Sequence, residues 1–166
     1  MKHFEIYKTP DEFNDLLIQT EDGAIRSIAF IEDPNSLPKI EEANLDAALA
    51  RHWLDEYFAK KRPTWLPNSI QPAGVSVFTK QVISLLKKIP YGEATTYGKL
   101  AKIVAQNRNI PYMSSQAIGG AVGRNPIVIL IPCHRVLGKK NELTGYHGGL
   151  KNKEGLLKLE GIHYEK

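Results

Sequence analysis

Short, unevenly alternating apolar groups mark the first forty residues and predict β structure there. Phe4 and Ile6 form one such group, and Leu16 to Ile18 another. Between these and the next group, Glu21-Asp22-Gly23-Ala24 predicts a hairpin, because Asp-Gly readily supplies the positive φ angles of a tight turn. Ile25, Ile28, Phe30 and Ile31 follow as a return strand of imperfect alternation. From Glu41 to Lys60 the period changes. Leu45, Leu49, Trp53 and Tyr57 recur at four-residue spacing, with Ala48 and Leu54 beside them, which predicts an amphipathic helix. "KKRPTWLPNSIQP" then crowds Pro63, Pro67 and Pro72 together. Such a density forbids helix and disfavours a central strand, so the stretch predicts an extended linker and a domain boundary, with one domain over 1–70 and another over 71–166.

The second half predicts mainly helix. Phe78, Val82, Leu85, Leu86 and Ile89 make one helical stripe, stopped by Pro90-Tyr91-Gly92. Thr95 or Thr96 can cap a second helix whose apolar face is Leu100, Ile103 and Val104. After a polar connection from Asn107 to Pro111, a third helix runs from Ser114 or Ser115 to about Val122 and ends at Gly123. Two short helices joined in this way suggest a helix-turn-helix. The third is rich in small residues, reading Gln-Ala-Ile-Gly-Gly-Ala-Val, although each helical glycine costs roughly 1 kcal/mol. Either the glycines allow close packing on a neighbouring helix, or they leave a smooth face that another molecule can approach. Asn125-Pro126 then turns the chain into Ile127 to Ile131, which predicts a buried strand leading into Pro132-Cys133-His134.

Composition narrows the picture. The 166 residues are 42% hydrophobic and 24% charged, the balance of a folded protein with a real core. No apolar run approaches the roughly 20 residues of a membrane span, and Met-Lys-His-Phe-Glu at the N-terminus has no signal-peptide core, so the expected compartment is the cytoplasm. The net charge of +4 is compatible with a nucleic-acid partner without demanding one.

Cys133 is the single cysteine, so no internal disulfide is possible. A lone cysteine of this kind is commonly a small buried hydrophobe. A zinc site is disfavoured, since no second cysteine accompanies His3, His52, His134, His147 and His163. Reactivity is favoured by the setting: a strand end, an adjacent His134, and Gly145, Gly148 and Gly149 in a following loop. The thiolate is the reactive form, and an unperturbed thiol near pKa 8.5 ionises only slightly at neutral pH without help. Adjacent residues on an extended segment point to opposite sides, so a turn or a bridging water would be needed to bring His134 to the sulfur.

"PCHRV", preceded by "GGAVGRNPIVILI" and followed by "GYHGGLKNKEGLLKLE", resembles the O6-alkylguanine-DNA alkyltransferases. "YGEATTYGKLA" belongs to the same resemblance, which runs from Phe78 to Glu160. It implies an α+β protein: a ribonuclease-H-like N-terminal domain of sheet and helix, and a mainly helical, winged-helix-like C-terminal domain carrying the helix-turn-helix. It implies direct-reversal DNA repair, in which Cys133 takes the alkyl group from O6 of guanine, or less efficiently O4 of thymine, once and irreversibly. His134 would act as base through a water, Glu160 would orient it, and Tyr97 would give a proton towards guanine. Read without the family, Glu160 is an exposed residue near a helix end, while Tyr97 is equally well a proton donor or a helix-start aromatic packed on the core. Asn125 would tie the helix-turn-helix to the active-site strand, while Val136, Tyr146, His147 and Gly148 would line the base pocket.

The damaged atom lies inside the base stack, so the nucleotide must swing out. The resemblance places the third helix in the minor groove, where Ala117, Gly120 and Ala121 are small enough to enter. Thr96, Lys99, Ser115, Gln116 and Arg124 join them as the DNA-binding set, on a monomer bound to double-stranded DNA with alkylated bases, with no cofactor, metal or membrane. One position departs from the family: Gln116 stands where an arginine usually fills the vacated space. The zinc ligands that some members carry in the N-terminal domain are missing. Three rival classes remain on sequence grounds: a helix-turn-helix regulator without chemistry, a lesion sensor (which would replace the cysteine), and a cysteine hydrolase that turns over.

Overall fold

A computed structural model describes residues 2–36 and 44–166. The chain divides into two compact units: Met1–Ala73 with Pro126–Leu130, and Gly74–Asn125 with Ile131–Lys166.

The first unit is built on an antiparallel sheet in the order β1-β2-β3, from β1 (Lys2–Tyr7), β2 (Asp15–Glu21) and β3 (Ala24–Ile31). In β2 the two-residue period is plain: Leu16, Ile18 and Thr20 are buried while their neighbours are half-buried. The β2–β3 turn has Asp22 at φ 51° and Gly23 at φ 74°, the two positive angles that the Asp-Gly pair accommodates. Helix α1 covers Leu45–Phe58, capped by Asn44, whose side chain accepts from Ala47 N at 2.8 Å. The start expected at Glu41 falls on residues 41–43, and the end of the predicted β region on residues 37–40; both lie outside the described residues.

The buried face of α1 is Ala47, Ala50, Trp53, Leu54 and Tyr57, whereas Leu45 is 74% exposed. A four-residue repeat drifts by roughly 40° per step on a helix of 3.6 residues per turn, so the Leu45–Tyr57 stripe winds off the core. The proline-rich stretch is not a loose linker. Trp65 donates from Nε1 to Glu56 and accepts from Trp53 Nε1 at its carbonyl. Ser69 to Ala73 run beside β3, with Ile25 N donating to Ser69 O and Gln71 N to Ile25 O.

The predicted strand Ile127–Ile131 is absent. Ile127 makes a single parallel bridge with Ile28, and the chain then folds back on itself, Leu130 N donating to Val128 O at 2.8 Å around Ile129 at φ 71°. That is a γ-turn with a β-branched residue at positive φ, a costly conformation. Burial explains why periodicity misled: Ile127, Val128, Ile129 and Leu130 are all buried, so neither a strand nor a turn imposes alternation.

In the second unit, α2 spans Val77–Leu86, capped by Ser76. It ends before Ile89, whose N–H reaches back to Leu86 O in a tight turn. Helix α3 spans Tyr97–Asn107 with Thr96 as its cap, and α4 spans Ser115–Gly123, capped by Ser114. Helix α4 packs on α3 and α2. Two short strands that periodicity did not predict, β4 (Thr95–Thr96) and β5 (Val136–Leu137), pair in parallel through Thr95–Val136 and Thr96–Leu137. Helix α5 spans Leu150–Glu160 and ends in Gly161 at φ 72°, the left-handed cap that glycine favours. Among the described residues no helix is long and apolar enough to cross a membrane.

Candidate active site

Cys133 follows no strand; it opens a one-turn 3₁₀ helix, Cys133–Arg135, entered from Pro132. At three residues per turn, successive side chains fan out by about 120°, so Cys133, His134 and Arg135 leave the turn in three directions. His134 and Arg135 both reach Glu160 at the end of α5. His134 Nε2 sits 2.5 Å from Glu160 Oε2, and Arg135 Nε donates to Oε1 at 2.7 Å. Gly92 N donates to the same Oε1 at 3.0 Å, and Arg135 Nη1 anchors to Ile89 O at 2.6 Å. Glu160 is therefore buried and fully engaged, not an exposed residue near a helix end.

The electrostatics of this cluster follow from burial and pairing. Burial alone would raise the Glu160 carboxyl, yet bonds and charge from His134 and Arg135 hold it at about 2. Burial lowers the His134 pKa, against the opposing pull of Glu160. The ring is thus neutral near pH 7, donating Nε2–H to the carboxylate and able to accept a proton elsewhere.

Burial raises the Cys133 thiol, opposed first by a hydrogen bond from Asn125, then by one from Tyr146 and by the charge of Lys153. Asn125 is buried at the end of α4 and its Nδ2 also donates to Ile131 O at 2.9 Å. It therefore ties the helix to the cysteine turn rather than to a strand. Burial, with the Cys133 charge, keeps the Tyr146 hydroxyl protonated. Thiol, neutral imidazole and carboxylate thus coexist near pH 7, the resting states that a base-assisted nucleophile needs.

Tyr97 opens α3, half-buried, with Thr144 Oγ1 at 3.5 Å from its hydroxyl and Gly119 of α4 against its ring, where a Cβ would stand 3.9 Å away. Burial raises its pKa, so it too stays protonated. Val136 is fully buried on β5. The loop after Thr144 brings Tyr146 to the sulfur and the His147 ring to the Asn125 backbone. Gly148 O accepts from Asn152 Nδ2 at 2.7 Å.

The expected DNA-binding residues divide. Ser115, Gln116 and Ala117 are exposed on the first turn of α4. Lys99 is exposed on α3 and Thr96 half-buried before it. Arg124 is exposed and its guanidinium folds over Gly120, 3.4 Å from where a Cβ would be. Ala121, by contrast, is fully buried and cannot form part of a surface. Its small side chain serves packing inside the unit, the first of the two explanations of the small residues.

Sequence reasoning missed Arg135, Lys153, Thr144, Asn152 and Gly92. A signal existed for one of them. Lys153 and Glu160 are seven residues apart, about two helical turns, and fall with Leu156 and Leu157 on the buried side of α5. Polar residues on an inward stripe mark a buried polar site.

The profile of a family described as 6-O-methylguanine DNA methyltransferase, DNA binding domain, matches residues 77–162, more than half of the chain. The chain is 37% identical over 165 residues to the methylated-DNA–protein-cysteine methyltransferase of Methanosarcina acetivorans, covering 96% of this chain and 98% of that one. It is 46% identical over 95 residues to the protein of that name from Haemophilus influenzae, covering 57% and 50% of the two chains. Among solved structures, the Mycobacterium tuberculosis O6-methylguanine methyltransferase superposes with a TM-score of 0.77 at 30% identity, covering 96% and 93%. A structure of the same enzyme in complex with DNA gives a TM-score of 0.77 at 30% identity, covering 95% and 92%.

Proposed function

The chain belongs to the methylated-DNA–protein-cysteine methyltransferase family, and from that premise we propose that Cys133 removes the alkyl group from O6 of guanine in double-stranded DNA. The activity is alkyl-transfer repair, and the rival reading as a non-repairing regulator or lesion sensor is not favoured. One observation carries the assignment of residues: the buried Cys133 thiol shares a single turn with a neutral His134 held by an ionised Glu160.

The transfer balances simply. His134 takes the thiol proton through a water, the S–C bond forms as the C–O6 bond breaks, and the electron pair of that bond returns to guanine. Tyr97 donates a proton to the leaving base as it gains charge, and the proton lost by the thiol restores the balance. The product is a thioether, a poor leaving group, so each molecule acts once. Val136 and the Tyr146-His147-Gly148 loop form the pocket for the extruded base, and extrusion costs a few kcal/mol, least for a weakened pair.

The exposed first turn of α4, with Ser115, Gln116, Ala117 and then Gly120, enters the minor groove, while Thr96, Lys99 and Arg124 meet the backbone. The α3–α4 pair is read as the helix-turn-helix of a winged-helix-like DNA-binding domain over 71–166. The β1–β3 sheet with α1 is read as a ribonuclease-H-like domain over 1–70. The protein acts as a monomer.

Intact mass after mixing equal amounts of protein and a duplex with one O6-methylguanine tests this. A gain of one methylene, mapped to Cys133 and absent with undamaged duplex, is expected. Tight binding without a mass change would make the protein a lesion sensor.

A further inference from the structure

Lys153 is a buried ionisable group that this transfer leaves unused. It is 0% exposed on α5, although lysine is almost never fully buried unless paired. Its Nζ donates to Val136 O at 2.8 Å and to Thr144 O at 3.2 Å. Both acceptors are neutral carbonyls. One belongs to β5, which directly follows the cysteine turn, and the other to the entry of the loop whose Tyr146 bonds the sulfur. An apolar side chain of similar length would fill the same space without the penalty of burying a charge.

We propose that Lys153 is a positioning and charge-compensating residue for alkyl transfer, tying β5 to the loop entry and fixing a positive charge beside the Cys133 sulfur. The proposal rests on the reading of Cys133 as the acceptor. Three observations support it. The Thr144 carbonyl held by Nζ belongs to the residue whose Oγ1 meets the Tyr97 hydroxyl, so the lysine also fixes the wall beside the proton donor. That wall has no slack, for a Cβ on Gly138 would stand 2.6 Å from Thr144 Cγ2. Burial lowers the ammonium to about 8 while the sulfur's charge pushes it back up, and Lys153 in turn lowers the thiol. Cys133 and His134 both feel this charge, and Tyr97 and Tyr146 in turn face the Cys133 sulfur. Negative charge develops on sulfur only once His134 has taken the proton. A dry, fixed cation therefore stabilises the activated state more than the resting thiol.

Single-turnover methyl transfer from an O6-methylguanine duplex, followed against pH, tests the role. Lys153→Met is expected to transfer roughly a hundredfold more slowly, the scale of losing one fixed stabilising group, with duplex affinity unchanged and the rate rising to a more alkaline pH. In Lys153→Ala, propylammonium should restore transfer and propan-1-ol should not. Transfer by Lys153→Met at the unaltered rate, or equal rescue by both additives, overturns the proposal. Should these variants fail to fold, the Lys153 ammonium is titrated by NMR in the unaltered protein and in Cys133→Ser. Proton loss at a higher pH in the unaltered protein is expected, and identical titrations overturn the charge coupling. An unaltered protein that transfers no methyl group overturns the assignment of Cys133 itself, and the role of Lys153 with it. Loss confined to the variants bears on Lys153 alone.

Discussion

Glu160 concentrates three donors on one carboxylate: His134, Arg135 and the Gly92 N–H. Replacing it by glutamine leaves the Arg135 guanidinium buried without its counter-ion, a change that typically costs about 3–5 kcal/mol. The folded carboxyl sits at about 2, below its ordinary 4.5. Its contribution is therefore complete above the ordinary value and lost as pH falls towards 2. Glu160→Gln should accordingly lower the urea midpoint strongly at pH 7, with the gap to the unaltered protein narrowing by pH 3; a constant gap would contradict the assignment. Ile129 poses the opposite question, strain against burial. Its φ of 71° costs on the order of 1–3 kcal/mol, while deleting a fully buried isoleucine side chain costs about 2–5 kcal/mol. Burial wins on these magnitudes, so Ile129→Gly should lower the thermal midpoint despite relieving the backbone; a rise would show that the γ-turn stores more strain than the side chain returns.

Helix α4 has two faces with different duties. Ile118, Ala121 and Val122 are buried, and Gly120 lies under the Arg124 guanidinium. A Cβ at Gly120 meets only the mobile end of that arginine, so Gly120→Ala should gain stability, up to about 1 kcal/mol from helix propensity. If α4 enters the groove, the same methyl should weaken duplex binding. Calorimetry and duplex titration on one variant would separate the two effects, and unchanged affinity would remove Gly120 from the interface. Gln116→Arg is the complementary change, adding the charge that α4 lacks at its exposed first turn, and faster duplex repair is expected. Element boundaries of this kind were legible because they rest on local chemistry: Thr96, Ser114 and Asp22-Gly23 sit where their caps and turn predict. The buried face of α1 and the course of Ile127–Leu130 were not, since both depend on what packs around them.

At the scale of the molecule, the net charge of +4 matters through where it lies. Lys99 and Arg124 are exposed on the unit that carries Cys133, at the start of α3 and the end of α4. If some five phosphates are neutralised, duplex affinity should fall by roughly a few hundredfold between 50 and 200 mM salt; a flat salt response would exclude backbone contacts of that number. The identity of the chemistry was readable through the family resemblance, because "PCHRV" and the segments around it are runs of neighbouring residues and a motif needs no folding to be seen. The helix caps and the Asp-Gly turn were readable for the same reason, each being settled within a few residues. Only the tertiary structure decided that His134, Arg135 and the Gly92 N–H meet on Glu160, that Lys153 is buried against the Val136 and Thr144 carbonyls, and that Ala121 faces inward. Those outcomes join residues far apart in sequence, and burial, which sets each pKa, is a property of the packed chain rather than of any segment.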